Sequence, residues 1–158
     1  MKKTPDHPIN VSLMAKKKFD IGKLNYLFIR DIAFTYSMPD EPGVPEKEGN
    51  PTAYSMEVVK MFNMDQEVIR LVFTIQLETM LENAKEIKGV YTTEHLFQVK
   101  GLSDWVTKAE GKFVVDHDLN EVLTIQAYST ARGMIHQKFN GTWFSDFVLP
   151  VAKSAALD

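Results

Sequence analysis

The sequence contains no cysteine. That absence excludes disulfide bridges, thiol nucleophiles, zinc–thiolate centres and iron–sulfur clusters. Glycine is sparse, with 8 residues in 158. No glycine-rich loop follows any strand pattern, so nothing resembles a phosphate cradle. Neither sign of charge prevails: 18 basic residues face 21 acidic ones, a net charge of -3. Nucleic-acid binders carry a basic excess or stripe, and none dominates here, so no nucleic-acid partner is expected. No run approaches the ~18 apolar residues of a membrane span. The apolar run after the first lysines, Val11 to Ala15, is broken by Ser12 and too short for a signal peptide. No membrane insertion is expected, and the expected compartment is the cytoplasm. What remains is ordinary globular composition, 25% charged and 44% hydrophobic. A chain of this length fits one domain and buries about two-thirds of its unfolded surface.

Charge is uneven along the chain. Lys2, Lys3, Lys16, Lys17 and Lys18 stand against Asp6 and Asp20 in the first twenty residues. Residues 1–21 show no periodicity and are expected to form a flexible basic arm. Residues 22–151 are expected to form a single domain, and 152–158 a short tail.

Leu24, Tyr26, Phe28, Ile32, Phe34 and Tyr36 fall on alternate positions, with Arg30 the one break. Period two with aromatic and branched residues predicts a long strand with one apolar face. Residues 38–51 hold four prolines and two glycines and predict a loop. Residues 54–62 predict a weaker strand, closed by a turn at Asn63 to Gln66. Residues 67–78 alternate most cleanly, with Ile69, Leu71, Phe73, Ile75 and Leu77 on one face. Such alternation suits an antiparallel sheet with one covered and one wet face. Residues 87–99 predict a fourth strand.

From Asp118 the period changes. Leu119, Val122, Leu123, Ala127, Ala131, Met134 and Ile135 recur at three and four, an amphipathic helix. Asp118 and Glu121 have the spacing of a capping box, and Asn140-Gly141 ends the helix. Four strands and one long helix predict an α+β fold. One helix cannot cover both faces of such a sheet, so a second copy or a ligand is expected on the remainder. Ala127, Ala131 and Gly133 make the helix surface small and are the candidate oligomer interface, for a homodimer or homotetramer. Packing of the same helix on its own sheet is the compatible alternative.

Catalytic constellations are wanting. His117 lies between Asp116 and Asp118, but neighbours diverge at a helix start and no second histidine cluster joins them. Glu94 and His95 are adjacent on a strand and point to opposite faces. Ser129 and His136 share a helix face at a separation of ~10 Å, too far for a nucleophile and its base. No acid, base and orienter converge. No catalytic residue, metal or cofactor is expected. The chain does carry ten phenylalanines, five tyrosines, two tryptophans and eight methionines. Such side chains build cores, and they also build adaptable apolar binding surfaces.

Several segments, in order, resemble the SecB-like family of export chaperones. They are Arg30-Asp31-Ile32-Ala33-Phe34, the strand from Glu67 to Thr74, Leu96 to Leu102, and Gly141-Thr142 followed by Pro150-Val151. The resemblance spans roughly residues 24–151. It implies a four-stranded antiparallel sheet with a long helix, assembled as a dimer of dimers, that holds unfolded polypeptides in apolar grooves without covalent chemistry. It implies service in protein export or as a chaperone for the antitoxin of a toxin–antitoxin pair. Export members dock the translocase motor through an acidic patch. Of those positions only Asp31 matches, since the others read Thr35, Lys88 and Val90. Only Ala152 to Asp158 follow Pro150-Val151, so the second helix of the family is expected to be largely missing. Candidate polypeptide-binding residues are Tyr26, Phe28, Tyr36, Met56, Phe62, Trp105, Trp143, Phe144 and Phe147. A scaffold that holds one folded partner, or a binder of small apolar ligands, is the alternative.

Overall fold

The computed structural model describes residues 18–40, 52–81 and 85–151. Strand β3, Val68–Met80, shows the expected alternation most directly. Ile69, Leu71, Ile75 and Leu77 are completely buried, while Arg70, Thr74, Gln76 and Glu78 alternate with them on the other face. β3 pairs antiparallel with β4, Glu86–Val99, and with β2, Ala53–Asn63. β1, Leu24–Ser37, pairs with the far side of β4, so the sheet order is β1-β4-β3-β2. The two central strands carry the core, and β1 and β2 are the edges. Helix α1, His117–Lys138, lays Leu119, Leu123, Ala127, Tyr128, Ala131 and Ile135 on one face of the sheet. The predicted architecture of four antiparallel strands and one long helix is therefore the observed one.

β1 departs from expectation. Its pairing with β4 shifts register twice, between Tyr26 and Phe28 and between Asp31 and Ala33. Each shift inserts one extra residue, Leu27 and Ile32, and each such bulge reverses which side chains face the core. Leu24, Tyr26, Phe34 and Tyr36 pack on the helix side, joined there by Ile29 and Asp31. Phe28 and Arg30 turn to the open face, where Phe28 is 42% exposed. The predicted single apolar face is thus split between the two sides of the sheet.

Other details also differ. The helix cap is Asp116, not Asp118: its Oδ1 accepts the Asp118 N–H at 3.0 Å. Ala127 and Ala131 are buried against the chain's own sheet, whereas Gly133 lies on the exposed side. Residues four apart share a helix face and residues six apart do not, so these three form no common stripe. A hairpin, β5 Val106–Ala109 and β6 Lys112–Val115, precedes the helix where no strand was predicted. Its two-residue turn places Glu110 and Gly111 at φ 51° and 79°, the geometry such a hairpin demands. Phe19, expected in the arm, is buried edge-on against Trp105 with ring centroids 5.0 Å apart. Ile21 begins a short 3-10 turn, Ile21–Lys23, capped by Asp20, whereas residues 1–17 of the predicted arm and the predicted tail, 152–158, lie outside the described residues.

After the helix the chain crosses the strand ends and returns. Phe144 sits beside Tyr36 of β1, and Phe147 beside Tyr54 of β2. Arg132 Nε then donates to the Leu149 carbonyl, and Tyr128 Oη to the Pro150 carbonyl, both at 2.7 Å. The apolar end is buried by the domain itself at Phe144 and Leu149. Gly89 of β4 makes this possible. A Cβ there would meet the Phe139 ring, with Cζ at 3.1 Å, and Phe144 Cδ2 at 3.3 Å. Gly89→Ala is expected to overpack the site and to lower the unfolding free energy by about 1–3 kcal/mol. A urea midpoint equal to that of the parent would refute this packing.

Candidate polypeptide-binding surface

α1 covers the middle of the sheet and leaves β2 incompletely covered. On the helix-side face β2 presents Tyr54, Met56, Val58, Lys60 and Phe62, opposite Leu77, Ile75, Phe73, Leu71 and Ile69 of β3. The β3 partners are buried, while Met56, Val58 and Phe62 are half-buried and Tyr54 is exposed. Aromatic rings close both ends of the row. Phe147 meets Tyr54 at 5.7 Å, and Phe113 of the hairpin meets Phe62 at 5.3 Å. At ~3.3 Å per residue the eight steps from Tyr54 to Phe62 span roughly 26 Å. Lys60 interrupts the row, with its Nζ donating to Asn120 Oδ1 at the start of α1. Burial lowers the pKa of Lys60. The result is a long, shallow apolar strip with one polar anchor beside a sheet edge.

The nine candidate residues do not form one site. Met56, Phe62 and Phe147 belong to this strip. Tyr36 and Trp143 lie at the opposite corner, where the Trp143 N–H donates to Tyr36 Oη at 3.1 Å. Tyr26 is stacked on Phe97 with centroids 4.3 Å apart. Phe28 lies on the other face. Trp105 and Phe144 are core residues, at 3% and 1% exposure, and cannot touch a partner on the folded surface. The strip also holds Tyr54, Val58 and Phe113, which are not among the nine candidates. Tyr54 and Val58 share the parity of Met56 and Phe62, so period two alone would have added them. Phe113 had no such signal, because its hairpin was not predicted.

Polar groups on the helix side are tied to one another. His95 is completely buried; its Nδ1 shares a hydrogen bond with Tyr26 Oη, and its Nε2 one with Thr93 Oγ1 at 2.8 Å. Burial drives the His95 pKa down to about 4. Burial also pushes the Tyr26 hydroxyl up to about 12. Both nitrogens of His95 are engaged and the ring is held neutral. Glu94, next in sequence, faces the open side, as the strand alternation predicted. Asp31 accepts a hydrogen bond from Tyr91 Oη and pairs with Lys138 Nζ at 2.9 Å. The Tyr91 bond first, and then Lys138, hold its carboxyl below the ordinary range. Asp31 therefore joins β1 to β4 and the helix end. His117, Ser129 and His136 are exposed on α1. Among the described residues no three His, Asp or Glu side chains gather as metal ligands, and no helix is long and apolar enough to cross a membrane.

No protein-family model matches the chain. No curated protein sequence matches it either. Among solved structures it is similar to the SecB-like chaperone Rv1957 of Mycobacterium tuberculosis, solved in complex with a ChAD peptide from the Rv1956 HigA1 antitoxin. The TM-score is 0.58 at 11% sequence identity, and the match covers 84% of this chain and 91% of that one. At that identity the likeness speaks for architecture. The chain has the SecB-like α+β fold that the sequence resemblance implied.

Proposed function

We propose that the protein is a non-enzymatic chaperone of the cytoplasm that binds unfolded or unassembled polypeptides along the β2 strip. The observation that carries this is the row Tyr54, Met56, Val58 and Phe62, partly open and closed at its ends by Phe147 and Phe113. An unfolded client loses conformational entropy on binding, and extended apolar contact offsets that loss. The antitoxin peptide on the structural neighbour favours an antitoxin-linked or general role over export. Engagement of Asp31 by Tyr91 and Lys138 also weighs against docking of a translocase motor through that carboxylate.

The test is suppression of aggregation of a chemically unfolded substrate, with the native substrate as control. The parent protein is expected to protect the unfolded form only. Tyr54→Asp with Met56→Asp is expected to weaken protection roughly tenfold, from the loss of about 1–2 kcal/mol of apolar contact. Indifference of the parent protein to both forms of the substrate would reject the chaperone function and favour the scaffold alternative.

Assembly into a dimer or tetramer belongs to the same proposal. Its surface is not the Ala127 and Ala131 stripe, which the chain's own sheet covers. Light scattering at micromolar concentration is expected to give a mass above that of the 18.0 kDa chain. A lone species of that mass would reject assembly.

A further inference from the structure

The open face of the sheet carries a feature that the β2 strip does not use. Glu94 of β4 is 2% exposed although it lies on the face away from the helix. It is covered by two arginines from neighbouring strands. Arg30 Nε of β1 takes one carboxylate oxygen, and Arg70 Nε of β3 takes the other. Burial pushes the Glu94 carboxyl up, but the bonds and charge of Arg30 and Arg70 outweigh it, and the net direction is down. Two cations thus share one anion. Each arginine binds Glu94 through Nε, and Nη1 of Arg70 also donates to Met61 Sδ at 3.8 Å. The two side chains remain 59% and 42% exposed.

Around this clamp lie Phe28, Val59, Met61 and Leu96. Register places Phe28 and Arg70 each opposite Leu96, Met61 opposite Arg70, and Val59 one pair further on. Phe28, Val59 and Met61 are exposed, and the Arg30 guanidinium stands 5.7 Å from the Phe28 ring centroid. Glu57, two residues from Val59 on the same face, is the next acid along β2; Glu78 and Lys88, further down the face, pair with each other at 2.9 Å. Aromatic residues, Met and Arg are the types enriched where proteins meet, and planar guanidinium suits carboxylate bidentately. Arg30 and Arg70 against Glu94 leave one positive charge inside this apolar patch, which favours a carboxylate over a cation.

We infer that this end of the open face, Arg30 and Arg70 framed by Phe28, Val59, Met61 and Leu96, is a docking surface for a partner polypeptide segment that carries carboxylates flanked by apolar side chains. It lies on the opposite side of the sheet from the β2 strip and stands independently of the chaperone function. Carboxylates of the partner meet the exposed arginine side chains, Arg30 foremost, while its apolar side chains cover Phe28 and Met61. Glu94 holds both arginines in position from beneath.

The experiment is a titration of the full chain, labelled at the methionine methyls and phenylalanine rings, followed by NMR. The probe is a synthetic twelve-residue peptide of alternating glutamate and leucine blocks. Its glutamine counterpart and a single-stranded oligonucleotide are titrated in parallel. The glutamate peptide is expected to shift Met61 and Phe28 and to bind at least roughly tenfold more tightly than the glutamine peptide, since charge-assisted bonds distinguish them. The gap is expected to shrink in high salt. Arg70→Lys keeps Glu94 paired and is expected to weaken binding severalfold, with the melting midpoint little changed. Phe28→Ala with Met61→Ala is expected to weaken both peptides. The inference is overturned by equal binding of the two peptides, by shifts confined to the β2 strip, or by tighter binding of the oligonucleotide at Met61. It is also overturned if these resonances move with protein concentration alone, which would assign the patch to a second copy. Should the double alanine variant fail to fold, the peptide comparison and Arg70→Lys still decide.

Discussion

Replacing Phe144 with alanine is expected to lower the unfolding free energy by about 3–5 kcal/mol, the cost of emptying a large buried aromatic site. Phe144 is 1% exposed and packs edge-on to Phe139 at 5.8 Å and to Tyr36 at 6.2 Å. It also lies over the bare backbone of Gly89. The cavity has little means of collapse, because the chain on either side is pinned. Phe139 ends the helix, and Arg132 and Tyr128 hold the carbonyls of Leu149 and Pro150. Denaturant titration measures the loss. The smaller change Phe144→Leu, expected at about 1–1.5 kcal/mol, keeps the comparison available if the alanine variant does not fold. In either variant the protein that remains folded is expected to protect clients as the parent does. Parent-like stability with lost protection would reverse the assignment and return Phe144 to the binding surface.

Stability is expected to fall by about 2 kcal/mol between pH 7 and pH 5, through His95. Its folded pKa is depressed to about 4 by burial, from an ordinary value of 6.5. Between those values the unfolded chain takes up a proton that the folded chain refuses, so acid favours unfolding. The loss begins as pH drops below 6.5 and levels off below 4. The structural reason is local: protonated imidazole has two donors and no acceptor. Tyr26 and Thr93 would both have to accept, inside a site with no nearby anion to balance the charge among its hydrogen-bond partners. The carboxyls of Asp31 and Glu94 are held below their ordinary values. Their contributions persist above the unfolded carboxylate range and disappear only at lower pH, which leaves the upper window to histidine. Urea unfolding across this range checks the slope, and His95→Gln is expected to flatten it. A His95→Gln profile as steep as that of the parent would assign the acid sensitivity elsewhere.

Much of the architecture was legible because β3 and α1 obey their periods without interruption. Ile69 to Leu77 alternate, Leu119 to Ile135 repeat at three and four, and each pattern has one spatial solution. The opposition of Glu94 and His95 followed from the same rule. β1 was misread because two bulges leave no compositional mark: Leu27 and Ile32 are as strand-like as their neighbours, and only pairing with β4 reveals the shift. The hairpin turn escaped notice because Glu110-Gly111 is a weaker signal than Asn-Gly. Of the candidate residues, Met56, Phe62 and Phe147 lie together on the β2 strip, whereas Trp105 and Phe144 are buried in the core. Large apolar side chains look alike in sequence whether they line a core or a groove. The difference lies in what covers them.

By itself, then, the sequence determined the sheet, the helix and the absence of thiol chemistry, since these depend on residue type and local period. Tertiary structure alone decided that Phe19 closes the core, that Ala127 and Ala131 face inward, and that Glu94 disappears beneath two arginines. Each depends on contacts between residues distant in sequence: burial is a property of neighbours in space, and local periodicity does not encode which neighbours arrive.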